Sequence, residues 1–337
     1  MNKNVTMRDI SKKLGISTVT VSKAISNKEG VGQELKAKIL QVANEMGYRK
    51  NVLASDLREQ VAHNIGLLVN SSSQNSQVLE HEISKNLLSN GYYSIIEVIG
   101  TDQSRSKILE DNKVDAIILI GAMKPAFVNA ILATRVPCIL VDFFYDASHL
   151  DSIIGDNLYG AYTLTKHLLA LGHQKIGFVG NPHVDDQTMD RYLGYSKAIN
   201  ESGITMKADW QINDTNDYGE PLSLSLSKPY PTALVCSHSE MAYKYIAYFK
   251  KQGIDIPSEI SIVGFEDDIF STLSSPQLTV FSIDYNEMAN TACSAIIKKI
   301  ENPSYHFGRK TIGGKLIIRE SSSKTSDTLA SEIDLFG

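Results

Sequence analysis

Two hydrophobic rhythms divide this chain. Over the first fifty residues, apolar side chains return at helical spacing: Met7, Ile10 and Leu14, then Val21 and Ile25, then Leu35, Ile39, Val42, Ala43 and Met46. From Ile65 onward, short continuous apolar runs alternate with amphipathic stretches. The runs predict strands at 65–69, 93–98, 116–120, 138–141, 175–179, 233–236 and 261–263. The intervening stretches predict helices, among them 79–89, 159–171, 191–202, 241–252 and 286–300. Such alternation predicts an α/β fold, with a parallel sheet covered by helices on both faces. The strands are too many for one comfortable sheet. Two lobes at about 63–157 and 158–283, with the chain crossing back near 284–320, would enclose a hinged cleft.

Local signals sharpen the first segment. Thr6-Met7-Arg8-Asp9 reads as a capping box in which an acid stands three residues after the cap. Gly15 ends that helix, because the left-handed region is open to it without steric cost. Ser17 then offers a second N-cap, and Gly32 a weaker one for a third helix at 33–46. Two short helices around a tight glycine turn form a helix-turn-helix. On the second helix Thr18, Val19, Ser22 and Lys23 fall near or on the face away from Val21 and Ile25. An outward valine can meet a thymine methyl, and Lys23 can reach a guanine edge or a phosphate. On spacing alone, a three-helix bundle with solvated charges remains an equal alternative.

Charge tips this balance. The whole chain is acidic, at net −5, but residues 1–60 carry 11 basic and 6 acidic side chains, leaving −10 for the remainder. A basic head on an acidic body suits a chain of which one end meets a polyanion. The N-terminus lacks a signal-peptide pattern, and no apolar run approaches the ~20 residues needed to span a bilayer. The three cysteines, Cys138, Cys236 and Cys293, are odd in number and far apart. A reducing cytoplasm, no membrane association, no metal and no cofactor are therefore expected. No phosphate-cradling glycine loop or nucleophile motif supports an enzyme.

The strings 5–10 (VTMRDI), 14–25 (LGISTVTVSKAI) and 46–51 (MGYRKN) resemble the headpiece of the lactose-repressor (LacI/GalR) family of bacterial transcription regulators. Similarity continues through 171–180 (LGHQKIGFVG), 190–195 (DRYLGY), 263–267 (VGFED) and 319–321 (RES). The resemblance implies a helix-turn-helix headpiece at 1–50 and a hinge helix at 51–60. An effector-binding and dimerisation domain at 61–323 follows, of the two-lobed periplasmic-binding-protein type with doubly wound parallel sheets. Its lobes would be 63–157 with 284–313, and 158–283 with 314–323. A polar tail at 324–337 lacks the leucine heptads of a tetramerising coiled coil, and is expected to be disordered.

Carried over by position, the resemblance makes Thr18, Val19 and Lys23 base-reading residues. Thr6, Ser17, Thr20, Ser22 and Asn27 become phosphate or register contacts. In the hinge segment, Asn51 would cap a helix too short to form alone in water. Ala54, Leu57 and Arg58 would join it on the minor groove, with Leu57 the wedge that kinks the duplex. A plain linker helix with Leu57 in a small core is the alternative without the resemblance. Two departures stand out: Lys50 where the family usually has proline, and the acidic Asp56 beside the groove.

In open α/β sheets, ligands bind beyond the carboxyl ends of strands. That rule selects Asn70, Asp142, His238, Glu266 and Asp267, with Arg191 opening a helix after the Gly180 loop. The resemblance points to Asn70, Asp142, Arg191, His238 and Glu266 as cleft-lining residues, with Phe265 packed beside them. Arg191 could instead pair with Asp190 or a lobe neighbour, and residues 266–268 could be a solvated acidic loop or a Mg²⁺ site. His238 stands where the family usually has asparagine, and Ile283 where some sugar-sensing members have a polar residue. His81, His173 and Trp210 carry no argument beyond surface or packing.

The expected function is a homodimeric repressor on a near-palindromic DNA operator, controlled by a small effector, a carbohydrate or its derivative. Arg191 and His238 would also suit an acidic sugar or sugar phosphate. A purine-responsive repressor, a solute-binding receptor and a phosphotransferase are the alternatives.

Overall fold

Thr6 and Asp9 close the capping box reciprocally. The Asp9 N–H donates to Thr6 Oγ1 at 3.3 Å, and the Thr6 N–H to Asp9 Oδ2 at 2.9 Å. They start α1 (Met7–Leu14), which Gly15 ends at φ 64°. Ser17 accepts the Thr20 N–H at 3.0 Å and starts α2 (Thr18–Ile25). The third helix, α3 (Gln33–Glu45), begins at Gly32 without a side-chain cap. These elements come from a computed structural model that describes residues 5–25, 29–48, 63–70, 76–100, 103–111, 113–145, 150–213 and 230–325. The chain divides into two units, Met1–Ala62 and His63–Gly337.

The small unit buries Ile10, Val21, Ala24, Ile39 and Ala43, with Val42, Met46 and Tyr48 packed against them. Leu35 corrects the expected inward face of α3: it is exposed. The helix starts only two residues earlier, so Leu35 lies in the first turn, beyond the reach of the other two helices' core.

The large unit contains β1 (Asn64–Asn70), α4 (Ser76–Ser89), β2 (Tyr93–Ile99), α5 (Lys107–Glu110), β3 (Ala116–Ile120), α6 (Pro125–Ala133), β4 (Cys138–Val141) and β5 (Ser152–Gly155). There follow α7 (Asn157–Ala170), β6 (Ile176–Val179), α8 (Asp186–Glu201), β7 (Gln211–Ile212), β8 (Ala233–Cys236), α9 (Ser239–Lys251), β9 (Ser261–Phe265) and α10 (Ile269–Leu273). The last elements are β10 (Thr279–Ile283), α11 (Tyr285–Glu301), β11 (Arg309–Ile312) and β12 (Gly314–Ile317). No helix among the described residues is long and apolar enough to cross a membrane.

Two six-stranded sheets result, ordered β11-β5-β4-β3-β1-β2 and β12-β10-β9-β8-β6-β7. The second sheet repeats the strand order of the first, and the two differ in the direction of the edge strand, β11 parallel and β12 antiparallel. Pairing is parallel except for β10 with β12. The central strands β3, β4, β8 and β9 are buried throughout, which explains their unbroken apolar sequence.

The chain passes between sheets three times: after β5, after β10 and after β11. The crossings lie together. The Asp156 N–H donates to Ile312 O at 2.9 Å, and the Asp284 N–H to Gly313 O at 3.0 Å. Ile283 packs here: a Cβ on Gly155 would lie 3.1 Å from its side chain. Helices α7 and α8 meet closely at Gly194, where a Cβ would fall 2.0 Å from the Leu158 carbonyl oxygen. That approach fixes α8, which carries Arg191.

Candidate functional site

The two lobes present the same device at the same place. Asp142 follows β4 and Glu266 follows β9, which are equivalent strands of the two sheets. Both adopt left-handed backbone conformations, at φ 64° and φ 70°. Each N–H bonds the next strand, Asp142 to Ile153 O at 2.8 Å and Glu266 to Phe281 O at 3.0 Å. A positive φ at a non-glycine residue is strained, and such strain gathers at ligand sites. The turn aims each carboxylate from a strand's carboxyl end toward the cleft.

Arg191 joins the parts of the second lobe. It lies in the second turn of α8 and does not open the helix. Asp185 caps α8, which starts five residues before the expected position, by accepting the Thr188 N–H at 2.7 Å. The guanidinium is 1% exposed. Nε donates to Asn157 Oδ1 at 2.8 Å, Nη1 to the Ser237 carbonyl, and Nη2 to Glu266 Oε1 at 2.7 Å. Its carbon lies 4.0 Å above the Phe265 ring, itself fully buried. Of the alternatives, pairing with Asp190 is not the one made, whereas pairing with a lobe neighbour is, and that neighbour is Glu266.

Asp142 completes the site from the first lobe. It is 4% exposed, and its Oδ2 has no hydrogen-bond partner among the described residues. Burial pushes its carboxyl up to about 7. The Gln187 amide and the Arg191 charge pull it down, while Glu266 and Asp185 push it up. Gln187, on α8, also bridges the lobes by donating to Asp142 O at 2.6 Å. Tyr285, at the start of α11, faces the same charges. Burial, together with Glu266 and Asp142, holds its phenol well above the ordinary value.

The structure therefore brings Asp142, Arg191, Glu266 and Phe265 together. His238 joins through its neighbour: it is the N-cap residue of α9, and its Nδ1 lies 2.9 Å from Ser237 Oγ. Asn70 ends β1 on the first lobe's rim, with its amide donating to the Ala122 carbonyl. Asp267 pairs with Arg319 at 2.5 Å, and Asp268 caps α10 while accepting from Ser239 Oγ at 2.7 Å. Those two carboxylates hold local structure, and among the described residues no cluster of ligating side chains is placed to hold a metal. Asn157, Gln187, Ser237 and Tyr285 are site residues that sequence reasoning missed. Of the three positions set aside, His173 is buried between Thr232 and Ser261, Trp210 is buried, and His81 is exposed.

In the small unit, Thr18, Val19 and Lys23 are exposed on α2, Val19 at 63%. Ser22 is half-buried beside them. Thr6 and Ser17 stand at helix starts, and Ser17 Oγ lies 2.8 Å from Thr20 Oγ1. The face is thus built from one valine, hydroxyls and a cation. Asn27, Asn51, Ala54, Leu57 and Arg58, with the hinge helix and the tail beyond 325, lie outside the described residues.

A three-helix unit with an outward α2 and a duplicated two-lobed α/β unit with polar groups between its sheets define a helix-turn-helix headpiece in one chain with a periplasmic-binding-protein-like sensor. Residues 6–51 match bacterial regulatory proteins of the lacI family, and residues 165–322 match the periplasmic binding protein-like domain. The chain therefore joins a segment that matches the lacI-family regulators to one that matches the periplasmic binding protein-like domain.

It is similar to the ribose operon repressor of Haemophilus influenzae, at 26% identity over 326 residues (94% of this chain, 98% of that protein). It is also similar to the transcriptional repressor PurR of Pasteurella multocida, at 27% over 330 residues (94% and 98%). Among solved structures, the Lac repressor dimer bound to operator and the anti-inducer ONPF matches with a TM-score of 0.78 at 20% identity, over 95% of this chain and all of that one. A LacI-family regulator from Enterococcus faecium with bound ribose matches at 0.67 and 21%, over 77% of this chain and 99% of that one.

Proposed function

We propose that this protein is a DNA-binding transcriptional repressor of the bacterial cytoplasm, and not an enzyme. Its headpiece reads a duplex through Thr18, Val19 and Lys23, and its operator binding is set by a small uncharged polyhydroxyl compound, a sugar, in the interlobe cleft. Thr6, Ser17, Thr20 and Ser22 hold the register on phosphates. Asn51, Ala54, Leu57 and Arg58 remain the minor-groove contacts that the family resemblance implies.

One observation carries the choice of effector. The Arg191 charge is already balanced by Glu266, and three of its donors are engaged inside the protein. The second carboxyl, Asp142, adds negative charge to the cleft as it ionises at about pH 7 and above. An anionic sugar or sugar phosphate would enter against that field. Ring hydroxyls suit it, since they donate to carboxylates such as Asp142 Oδ2 and add no charge. His238 and Asn70 stand at the margin, placed to select among hydroxyl patterns.

A dimer fits the surface. Tyr93, Ile96 and Val98 are exposed on β2, an edge strand, beside Val78 and Leu88 on α4. Tyr243, Ile269 and Leu273 are exposed on α9 and α10. Apolar edges of this kind are usually covered by a partner. Two headpieces then read two half-sites.

The test is operator selection from randomised duplexes, followed by titration of the full-length protein. A near-palindromic consensus is expected. Val19→Ala should cost about 1–3 kcal/mol, confined to particular bases. Lys23→Ala should either do the same at a guanine or weaken all duplexes and reduce the salt slope by about 1. Unchanged specificity in both variants would remove α2 from the reading face.

A further inference from the structure

The first lobe carries a second concavity, lined by Thr291, Ser294, Lys298, Tyr305, Phe307 and Lys310, with a volume of about 300 Å³. It lies on the outer face of α11 and against the edge strand β11, apart from the cleft residues.

Its charge is the reverse of the cleft's. No Asp or Glu lines it, and neither Lys298 nor Lys310 has a carboxylate within 4.0 Å among the described residues. Lys310 donates to Thr291 Oγ1 at 3.3 Å, and Lys298 lies 5.7 Å from the Tyr305 ring centre. The adjacent Lys299 shows what a structural lysine looks like here. It pairs with the fully buried Asp151. Asp151 also accepts the Phe307 and Gly308 N–H groups, both at 2.7 Å, and lies 2.6 Å from His306 Nδ1. That buried carboxylate pins the segment forming one wall, so the concavity is preformed. Among the described residues, the two lysines facing into it have no carboxylate within 4.0 Å.

We propose that this concavity binds a small phosphate monoester. Two ammonium groups from separate elements match a dianion as point charges. The Thr291 and Ser294 hydroxyls supply further hydrogen bonds, and the Tyr305 and Phe307 rings supply an apolar wall for the carbon skeleton. The volume suits a small metabolite.

The test uses the full-length protein and titration calorimetry at low salt with ribose 5-phosphate, glycerol 3-phosphate and inorganic phosphate. Ribose and glycerol serve as uncharged counterparts. At least one ester should bind with a dissociation constant of about 1 mM or tighter. The double variant Lys298→Ala/Lys310→Ala, both side chains being exposed, should fold normally and lose about tenfold or more in affinity. The double variant Arg191→Met/Glu266→Gln, which alters the cleft without leaving a bare buried charge, should bind the ester as wild type does. No ester binding at about 10 mM would overturn the proposal. Equal affinity in the lysine variant would overturn it too, as would loss in Arg191→Met/Glu266→Gln, which would place the ester in the cleft.

Discussion

Replacing Arg191 with Met should abolish the response to effector while leaving operator binding intact. The guanidinium holds Asn157, the Ser237 carbonyl and Glu266 in one arrangement, and packs on Phe265. Without it, Glu266 is a carboxylate 2% exposed with its cation removed. Breaking a buried ion pair in this way costs roughly 3–5 kcal/mol. The single variant should therefore melt well below wild type. Adding Glu266→Gln removes the uncompensated charge and should restore much of the loss, but not the effector response. Operator affinity without effector should survive in both, because the headpiece is a separate unit. Thermal melts and operator titrations of the single and double variants check this. A full effector response in the double variant would contradict the site.

The second large effect concerns Asp142. Its carboxyl is pushed from the ordinary 3.8 up to about 7, chiefly by burial. The folded protein thus keeps a proton that the unfolded chain has already released. Between those pH values the native state binds more protons, so the stability contributed by this group falls as pH rises from about 4 to about 7, then levels. The change from 3.8 to about 7 corresponds to at most ~4 kcal/mol. Asp142→Asn keeps the shape and cannot ionise. It should raise the melting temperature at pH 8 and leave it nearly unchanged at pH 4, while weakening effector binding at every pH. Parallel pH profiles for wild type and variant would refute the buried, protonatable carboxyl.

Much of this site was legible because topology has rules. Asp142 and Glu266 come directly after apolar runs, and the carboxyl end of a buried parallel strand is where a cleft forms. The outward Val19 was legible because Val21 and Ile25 define the opposite side of a short helix. What was not legible is long-range or capping chemistry. Asn157, Gln187 and Tyr285 each lie at a helix start, where polar residues read as local structure. Asn157 meets Arg191 across 34 residues and Gln187 meets Asp142 across 45. Arg191 was displaced from the helix start because the cap at Asp185 lies among polar residues with no apolar period to mark it. Strands β11 and β12 escaped because edge positions are exposed: the first carries Arg309, Lys310 and Thr311 before its one buried residue, Ile312. The duplication of the sheet is likewise invisible in sequence, since the two halves share strand order and turn geometry without a repeated string.

The most direct test of the account is a titration of the selected operator with full-length protein, with and without each member of a panel of neutral sugars, sugar phosphates and nucleobases. The account predicts that a neutral sugar shifts operator affinity by about tenfold or more, equivalent to 1.4 kcal/mol of coupling between sites. An operator affinity that no neutral sugar alters, or no sequence preference among duplexes at all, would contradict it.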